Sequence, residues 1–243
     1  MITDTTEELK RLIKRKEELN LYKDKRDEFV KRCKDLSEKV EVLSPLVSCG
    51  GILGTNFHAS AGLMSAAALT AKQTEALTEE FKKVPEAILR PPNLNFKTEY
   101  LANIHTVRSA LDSELTSAWR RYTGSRLPEM NANLRQALSK IPAFKAVISK
   151  LNRLITEVDS LATQLPVKQD HFDEFNRKAA EIESTWQGLV SGDVPEEVLT
   201  FLQQVGTALG APLGLLTDVV SDWLLRHNIY DEFRITIRRA DPV

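Results

Sequence analysis

The chain has 243 residues, of which 28% are charged and 42% are hydrophobic, and its formal net charge is −1. This length allows one large domain or two small ones, with enough material for a real core. The small net charge excludes a global field that would recruit nucleic acid or an anionic membrane, so such a contact would need a local patch.

Two cysteines, Cys33 and Cys49, are too few for a disulfide framework. Cys33 falls at an apolar helical position, which predicts a small buried side chain rather than a redox or metal site. The first ten residues lack the basic-then-apolar layout of a signal peptide. We therefore expect the protein in a reducing cytoplasm.

The first predicted helix is highly charged and runs to about Leu43, where Pro45 and the pair Gly50 and Gly51 are expected to end it. Its surface mixes basic with acidic residues, which is typical of a solvated coiled-coil face; a DNA-tracking strip is the alternative. The residues of its heptad seam are Leu19, Tyr22, Arg26, Phe29, Cys33, Leu36, Val40 and Leu43.

No charged residue occurs between Val42 and Ala71. The run is too polar and too rich in glycine for a membrane span. We expect residues 42–60 to form the tip of an antiparallel hairpin, followed by a helix that begins near Ser60. Exposed apolar groups at such a tip would mark a contact site, unless the tip folds back onto the body. The predicted seam of the second helix is Leu63, Ala67, Thr70, Thr74, Leu77, Phe81 and Val84.

A third helix is predicted from about Lys97 to Tyr122, after a proline-rich break. Its end combines Arg120, Arg121 and Arg126 with two aromatic residues, a mixture that can hold a phosphate or a base. The alternative is an ordinary helix C-terminus, where arginines interact favourably with the helix dipole.

Two further heptad seams follow, with Pro142 before the first and Pro166 between them. The first consists of Phe144, Val147, Leu151, Leu154, Val158, Leu161 and Leu165, and the second of Phe172, Phe175, Ala179, Ile182, Trp186 and Leu189. Pro142 either begins the helix or kinks a longer one. Two seams of similar length separated by a turn predict a second antiparallel hairpin.

The last fifty residues predict a helix, a glycine-rich turn and a helix capped by Thr217 or Asp218, in which Val219, Trp223 and Leu224 are buried. Residues 233–238 alternate apolar and polar side chains, which predicts a strand. A lone strand leaves both edges unpaired. It would pair with an irregular segment of this chain or add to the sheet of a partner.

Catalytic motifs are not recognisable in the sequence. It contains no GxxxxGK[ST] loop, no GxSxG elbow and no HExxH, and its four histidines are scattered. We therefore predict no catalytic residue, no cofactor and no metal site.

The C-terminal fifty residues carry a resemblance, in Val194-Pro-Glu-Glu-Val-Leu, in the turn that begins Gly210-Ala-Pro-Leu-Gly and in Trp223-Leu-Leu-Arg-His-Asn-Ile-Tyr-Asp. This tail resembles that of small helical accessory subunits of Lamassu-like, three-component bacterial antiphage systems. The resemblance implies a middle subunit that joins an SMC- or Rad50-like ABC ATPase to a nuclease effector.

The sequence as a whole predicts an all-α fold of elongated antiparallel helical hairpins or coiled coils, with a small C-terminal helix–turn–helix–strand module. Its expected domains are 1–90, 91–191 and 192–243. The expected function is a non-enzymatic scaffold for an SMC-like ATPase, and a homodimer is a further expectation for a heptad protein. The predicted docking residues are Trp223, Tyr230, Phe233, Ile235 and Ile237.

The alternative hypothesis is that the chain is a coiled-coil DNA-binding protein. The third hypothesis is an enzyme of unrecognised type. DNA would be contacted by Arg120, Arg121 and Arg126, together with Arg234, Arg238 and Arg239.

Overall fold

The computed structural model of the chain describes residues 2–83, 89, 94–192, 194–205, 207 and 210–230. It divides into two compact units, of which the first holds residues 1–119 and 165–168 and the second holds residues 120–164 and 169–243. The described residues are helical with no strand, so the fold class is all-α. The predicted strand at 233–238 lies outside the described residues.

Eight α-helices make up the described chain, and none of them is long and apolar enough to cross a membrane. Two short 3₁₀ turns, Gly54–Asn56 and Leu213–Leu215, and a π-helical turn, Phe96–Tyr100, lie between them. The helices are α1 Ile2–Leu53, α2 Ala61–Lys83, α3 Leu101–Arg126, α4 Ala132–Ser139, α5 Pro142–Ala162, α6 Gln169–Gly192, α7 Glu196–Val205 and α8 Asp218–Arg226.

The first helix does not end at Pro45, as the sequence predicted, but continues to Leu53. Proline in a helix interior costs about 3 kcal/mol, and each glycine costs about 1 kcal/mol relative to alanine. This segment buries Leu46, Cys49 and Leu53. Fully burying a side chain of this size contributes roughly 1.5–3 kcal/mol, so packing offsets the unfavourable local propensity.

The row of α1 side chains that is covered by the rest of the first unit differs from the predicted seam at alternate positions. Arg32 and Lys39 are partly buried, whereas Cys33 and Val40 are exposed, so the prediction of a buried Cys33 was wrong. Both long side chains can bury their aliphatic stems and keep the charge in water. The covered row is Phe29, Arg32, Leu36, Lys39, Leu43, Leu46, Gly50 and Leu53, again at alternating spacings of three and four.

In α2 the covered row is displaced in the same way. Ala66, Gln73 and Glu80 are partly buried, whereas the predicted Ala67, Thr74 and Phe81 are exposed. The remaining seam members agree with prediction: Leu63 is buried, and Thr70 and Leu77 are partly buried. The predicted seam residues Leu19, Tyr22 and Val84 lie outside the side chains that the structure describes.

The core of the first unit forms where α3 begins. Phe96, Tyr100 and Ile104 are buried together, and leucines of α1, α2 and α3 pack around them. The Arg32 guanidinium of α1 lies 5.1 Å from the centre of the Phe96 ring. The Thr74 hydroxyl of α2 is 2.9 Å from the Tyr100 hydroxyl. These contacts attach α1 and α2 to the start of α3.

The second unit is built from short helices on a long pair. Helix α5 packs along α6, α4 contacts both α5 and α7, and α7 contacts α8. Pro142 is the first residue of α5, so this proline begins a helix rather than kinking one. The α6 seam is as predicted, with Phe175, Ala179, Ile182, Trp186 and Leu189 buried.

The α5 and α8 predictions were right except at two valines and at the end of α5, because the predicted seam residue Leu165 lies beyond the last helical residue, Ala162. In α5, Ile148 is buried and the predicted Val147 is 37% exposed. In α8, Val220 is buried and the predicted Val219 is 45% exposed. The predicted cap is confirmed, because the Thr217 hydroxyl accepts a hydrogen bond from the backbone N–H of Val220. In both helices the predicted residue and the buried residue differ by one position, which on a helix turns the side chain by about 100°.

Candidate functional site

The uncharged segment, residues 42–71, comprises the end of α1, a short connection and the start of α2. A few of its side chains are buried, among them Leu46, Cys49, Leu53 and Leu63. Most of the others are exposed to solvent. In a chain with 28% charged residues, thirty consecutive positions without a charge are a clear departure from the surrounding composition.

The connection between α1 and α2 is held by defined hydrogen bonds. Gly54 adopts a left-handed conformation with φ 52°, which suits a residue without a Cβ. The Asn56 side-chain amide donates to the carbonyl of Leu53 at 3.1 Å. The backbone N–H of Phe57 donates to the carbonyl of Gly54 at 3.1 Å. The carbonyls of Leu53 and Gly54 are thus hydrogen-bonded without a charged residue.

A carboxylate from α3 completes the cap of α2. The Ser60 hydroxyl accepts from the backbone N–H of Leu63 at 3.1 Å. The Glu114 carboxylate in turn accepts from the Ser60 N–H at 2.9 Å and from the Ser60 hydroxyl at 2.6 Å. These hydrogen bonds lower the pKa of Glu114. Glu114 therefore takes the part that the third helical residue plays in a capping box.

The exposed part of this segment includes large apolar side chains. Met64 is 60% exposed and Leu69 is 50% exposed, both in the first three turns of α2. The side chains around them are small, including Gly62, Ala67 and Ala68, and they are also exposed. Small residues let the backbone of another helix approach closely, and the apolar residues supply the area that such a contact would bury.

The predicted basic and aromatic cluster separates in the structure. Arg120, Arg121 and Arg126 are exposed, but Trp119 and Tyr122 are buried. The Tyr122 hydroxyl donates to the Asn176 Oδ1 at 2.6 Å, and the Arg126 guanidinium lies 5.1 Å from the Tyr122 ring centre. Both rings of this cluster are therefore used in packing and are not free to stack on a base.

The predicted docking residues are likewise divided. Trp223 is 4% exposed, and its ring lies 6.0 Å from that of Phe144 and 4.3 Å from that of His227. Trp223 thus holds α8 against the start of α5. Tyr230 is 39% exposed, on the surface. Phe233, Ile235 and Ile237 lie outside the described residues, as do the arginines at 234, 238 and 239.

Ionisable side chains of α5 and α6 are paired across the helices. The Lys178 Nζ of α6 lies 2.6 Å from the Glu157 carboxylate of α5, and the Lys150 Nζ of α5 lies 2.7 Å from Glu181 of α6. Lys178 also lies 3.2 Å from Glu174, one turn away on α6 itself. The hydrogen bonds that Lys178 donates to the carboxylates of Glu157 and Glu174 raise the pKa of Lys178. The hydrogen bond from Lys150 lowers the pKa of Glu181. These pairs favour the charged forms, which suits ion pairing between helices rather than proton transfer.

The thiols and potential metal ligands show no reactive arrangement within the described residues. Cys49 is fully buried, and burial raises the pKa of its thiol to about 11. The described residues contain no group of three or more metal-ligating side chains.

Comparisons of the chain with protein-family models, with curated proteins and with solved structures found no match.

Proposed function

We propose that the protein is a non-enzymatic scaffold that binds a helical surface of a larger protein through the uncharged segment. The observation that carries this proposal is the exposure of Met64 and Leu69 among small uncharged residues at the start of α2. Apolar patches on monomeric proteins are usually small, and larger ones mark interaction sites. Met64 and Leu69 lie five positions apart, about 140° around α2, so the exposed apolar surface is broad and fits a helical groove of a partner.

The proposed partner is an SMC- or Rad50-like ABC ATPase in the cytoplasm, in an antiviral complex that includes a nuclease effector. The resemblance of the C-terminal fifty residues supports this choice, and long coiled coils offer the helical surface that the uncharged segment would bind. In this proposal α1 with α2, and α5 with α6, act as coiled-coil hairpins. Tyr230, Phe233, Ile235 and Ile237 form a second contact with the ATPase, and Trp223 supports it from inside.

The first test is copurification of the tagged full-length chain with the ABC ATPase encoded beside its gene. Deleting residues 230–243 should abolish or weaken the complex, and retention of full binding would remove the C-terminal contact. The absence of an ABC ATPase gene beside this one, or no copurification with its product, would overturn the proposed partner.

The second test uses a matched pair of substitutions on α2. Ala68 lies in the uncharged half and Ala76 in the charged half, and both are exposed. A68E should reduce copurification at least tenfold, whereas A76E should leave it unchanged. Equal effects of the two substitutions, with unchanged helicity by circular dichroism, would refute the role of the uncharged segment.

DNA binding is the alternative function, and only the exposure of Arg120, Arg121 and Arg126 supports it. It predicts a salt-dependent shift of a DNA duplex by the isolated chain, which the R120E/R121E variant should lose.

A further inference from the structure

A second row of side chains, all of them uncharged, runs along α1 beside the covered row that packs against the first unit. Val30 is 57% exposed, Val40 is 58% exposed and Val47 is 63% exposed, and the residues between them in the row are exposed as well. The row consists of Val30, Cys33, Ser37, Val40, Ser44 and Val47, at alternating spacings of three and four.

This exposed row has the periodicity of a coiled-coil seam, but nothing in the described structure covers it. It starts one turn after Arg26 and ends shortly before α1 ends at Leu53. At a rise of 1.5 Å per residue it is about 26 Å long. It lies about 100° around the helix from the row that packs on α2 and α3, so another helix can approach it without displacing them.

We propose that a second copy of this chain docks its α1 antiparallel on this row, to form a symmetric homodimer. In the antiparallel register that uses the full length of the row, Val30 lies opposite Val47 of the second copy. Cys33 then lies opposite Ser44, and Ser37 lies opposite Val40. The two central valines each face a serine, so large and small side chains alternate across the interface, and the same patch serves both subunits.

The charges beside the row favour this orientation. Lys34 and Glu41 occupy equivalent positions on one flank, and both are exposed. In the antiparallel register Lys34 of each copy lies beside Glu41 of the other, which gives two interchain ion pairs. In a parallel register the same flank would face Leu36 and Leu43, which are already partly buried in the first unit. Charge complementarity thus selects the antiparallel dimer.

The contact is small, so the dimer is weak. A row about 26 Å long on one helix falls at the low end of specific interfaces, below roughly 1,200 Å² in total. We expect a dissociation constant on the order of 10 μM, because three valines and one cysteine per subunit supply little apolar area. The self-association does not depend on the proposed partner surface at Met64 and Leu69.

Thiol cross-linking tests the register. With a bismaleimide that spans about 8 Å, S44C should form a covalent dimer through Cys33 of one copy and the introduced cysteine of the other. Wild type should not, because two copies of Cys33 lie about 16 Å apart along the antiparallel axis. C33S/S44C should also fail, for the same reason. Cross-linking of wild type, or of C33S/S44C, would overturn the antiparallel register, and so would no cross-linking of S44C.

Sedimentation equilibrium tests the interface itself, again with a matched pair. Val40 lies in the row, whereas Val42 is an exposed valine outside it. At concentrations up to about 100 μM, wild type and V42E should approach twice the monomer mass of 27.4 kDa. V40E should remain monomeric with unchanged helicity by circular dichroism. A monomeric wild type, a dimeric V40E or a monomeric V42E would each overturn the proposal.

Discussion

Removal of the Glu114 carboxylate should destabilise the junction between α2 and α3 more than an ordinary surface substitution does. Among the described residues, this carboxylate is the acceptor for both the N–H and the hydroxyl hydrogen of Ser60. In E114A the serine hydroxyl is released from its orientation toward the Leu63 N–H. A helix cap contributes about 1 kcal/mol, and a hydrogen bond to a charged group about 1.5–3 kcal/mol.

Solvent screens this site, because Ser60 is exposed and Glu114 is only partly buried. We therefore expect E114A to lower the free energy of unfolding by about 1.5 kcal/mol at pH 7, and E114Q, which keeps one neutral acceptor, by about half as much. For a chain of this size the larger loss corresponds to about 3–6 °C in Tm. S60A should cost about the same as E114A, and S60A/E114A little more than either one, since both act through one cap.

The assay is urea unfolding followed by circular dichroism, with hydrogen exchange of the Leu63 amide as the local readout. The pH dependence has a definite sign. Since hydrogen bonds lower the pKa of Glu114 from 4.5 in the folded state, its contribution is present above pH 4.5 and is lost as the pH falls through the folded-state value. The difference in stability between E114A and wild type should therefore shrink progressively as the pH falls below 4.5. Equal stability at pH 7, or an undiminished difference at pH 3, would refute this role of the carboxylate.

Two other predictions concern glycines and thiols. G51A should stabilise the protein by about 0.5–1 kcal/mol, because Gly51 is helical and its added Cβ meets no atom within 4 Å. G54A should destabilise it, because Gly54 has φ 52°. A loss of stability in G51A, measured by urea unfolding, would contradict this reasoning. In the native protein Ellman's reagent should modify exposed Cys33 rapidly and buried Cys49, with its pKa of about 11, only after unfolding in urea. Two thiols that react rapidly without urea would show that Cys49 is accessible.

The buried face of α6 could be predicted from the sequence. In α6 the large apolar positions have one consistent period, and most of the other positions are polar or charged. Such a segment has one face that can be buried, so local sequence determines both the helix and its inward side. The Thr217 cap was predictable as one of two candidates with Asp218, because a threonine just before an apolar run can accept a hydrogen bond from the first backbone N–H groups of the helix.

The sequence did not decide how far α1 extends. Pro45, Gly50 and Gly51 are correct signals of low helix propensity, but propensity is a local quantity. Burial of Leu46 and Leu53 depends on segments distant in sequence, and its free energy exceeds the local cost. The predicted basic and aromatic cluster changed for the same reason, since the exposure of Trp119 depends on which helices pack over it, and the structure buries its ring.

The sequence by itself determined that this chain forms long amphipathic helices, because heptad periodicity is a local property that can be seen in the order of apolar and polar residues. Only the tertiary structure decided which row of α1 is covered. Two adjacent rows share the spacing of a seam, one with Arg32 and Lys39 and the other with Cys33 and Val40. Helix formation itself does not depend on which of the two rows is later buried. The positions of α2 and α3 select the first row, and they leave the valines of the second row exposed on the surface.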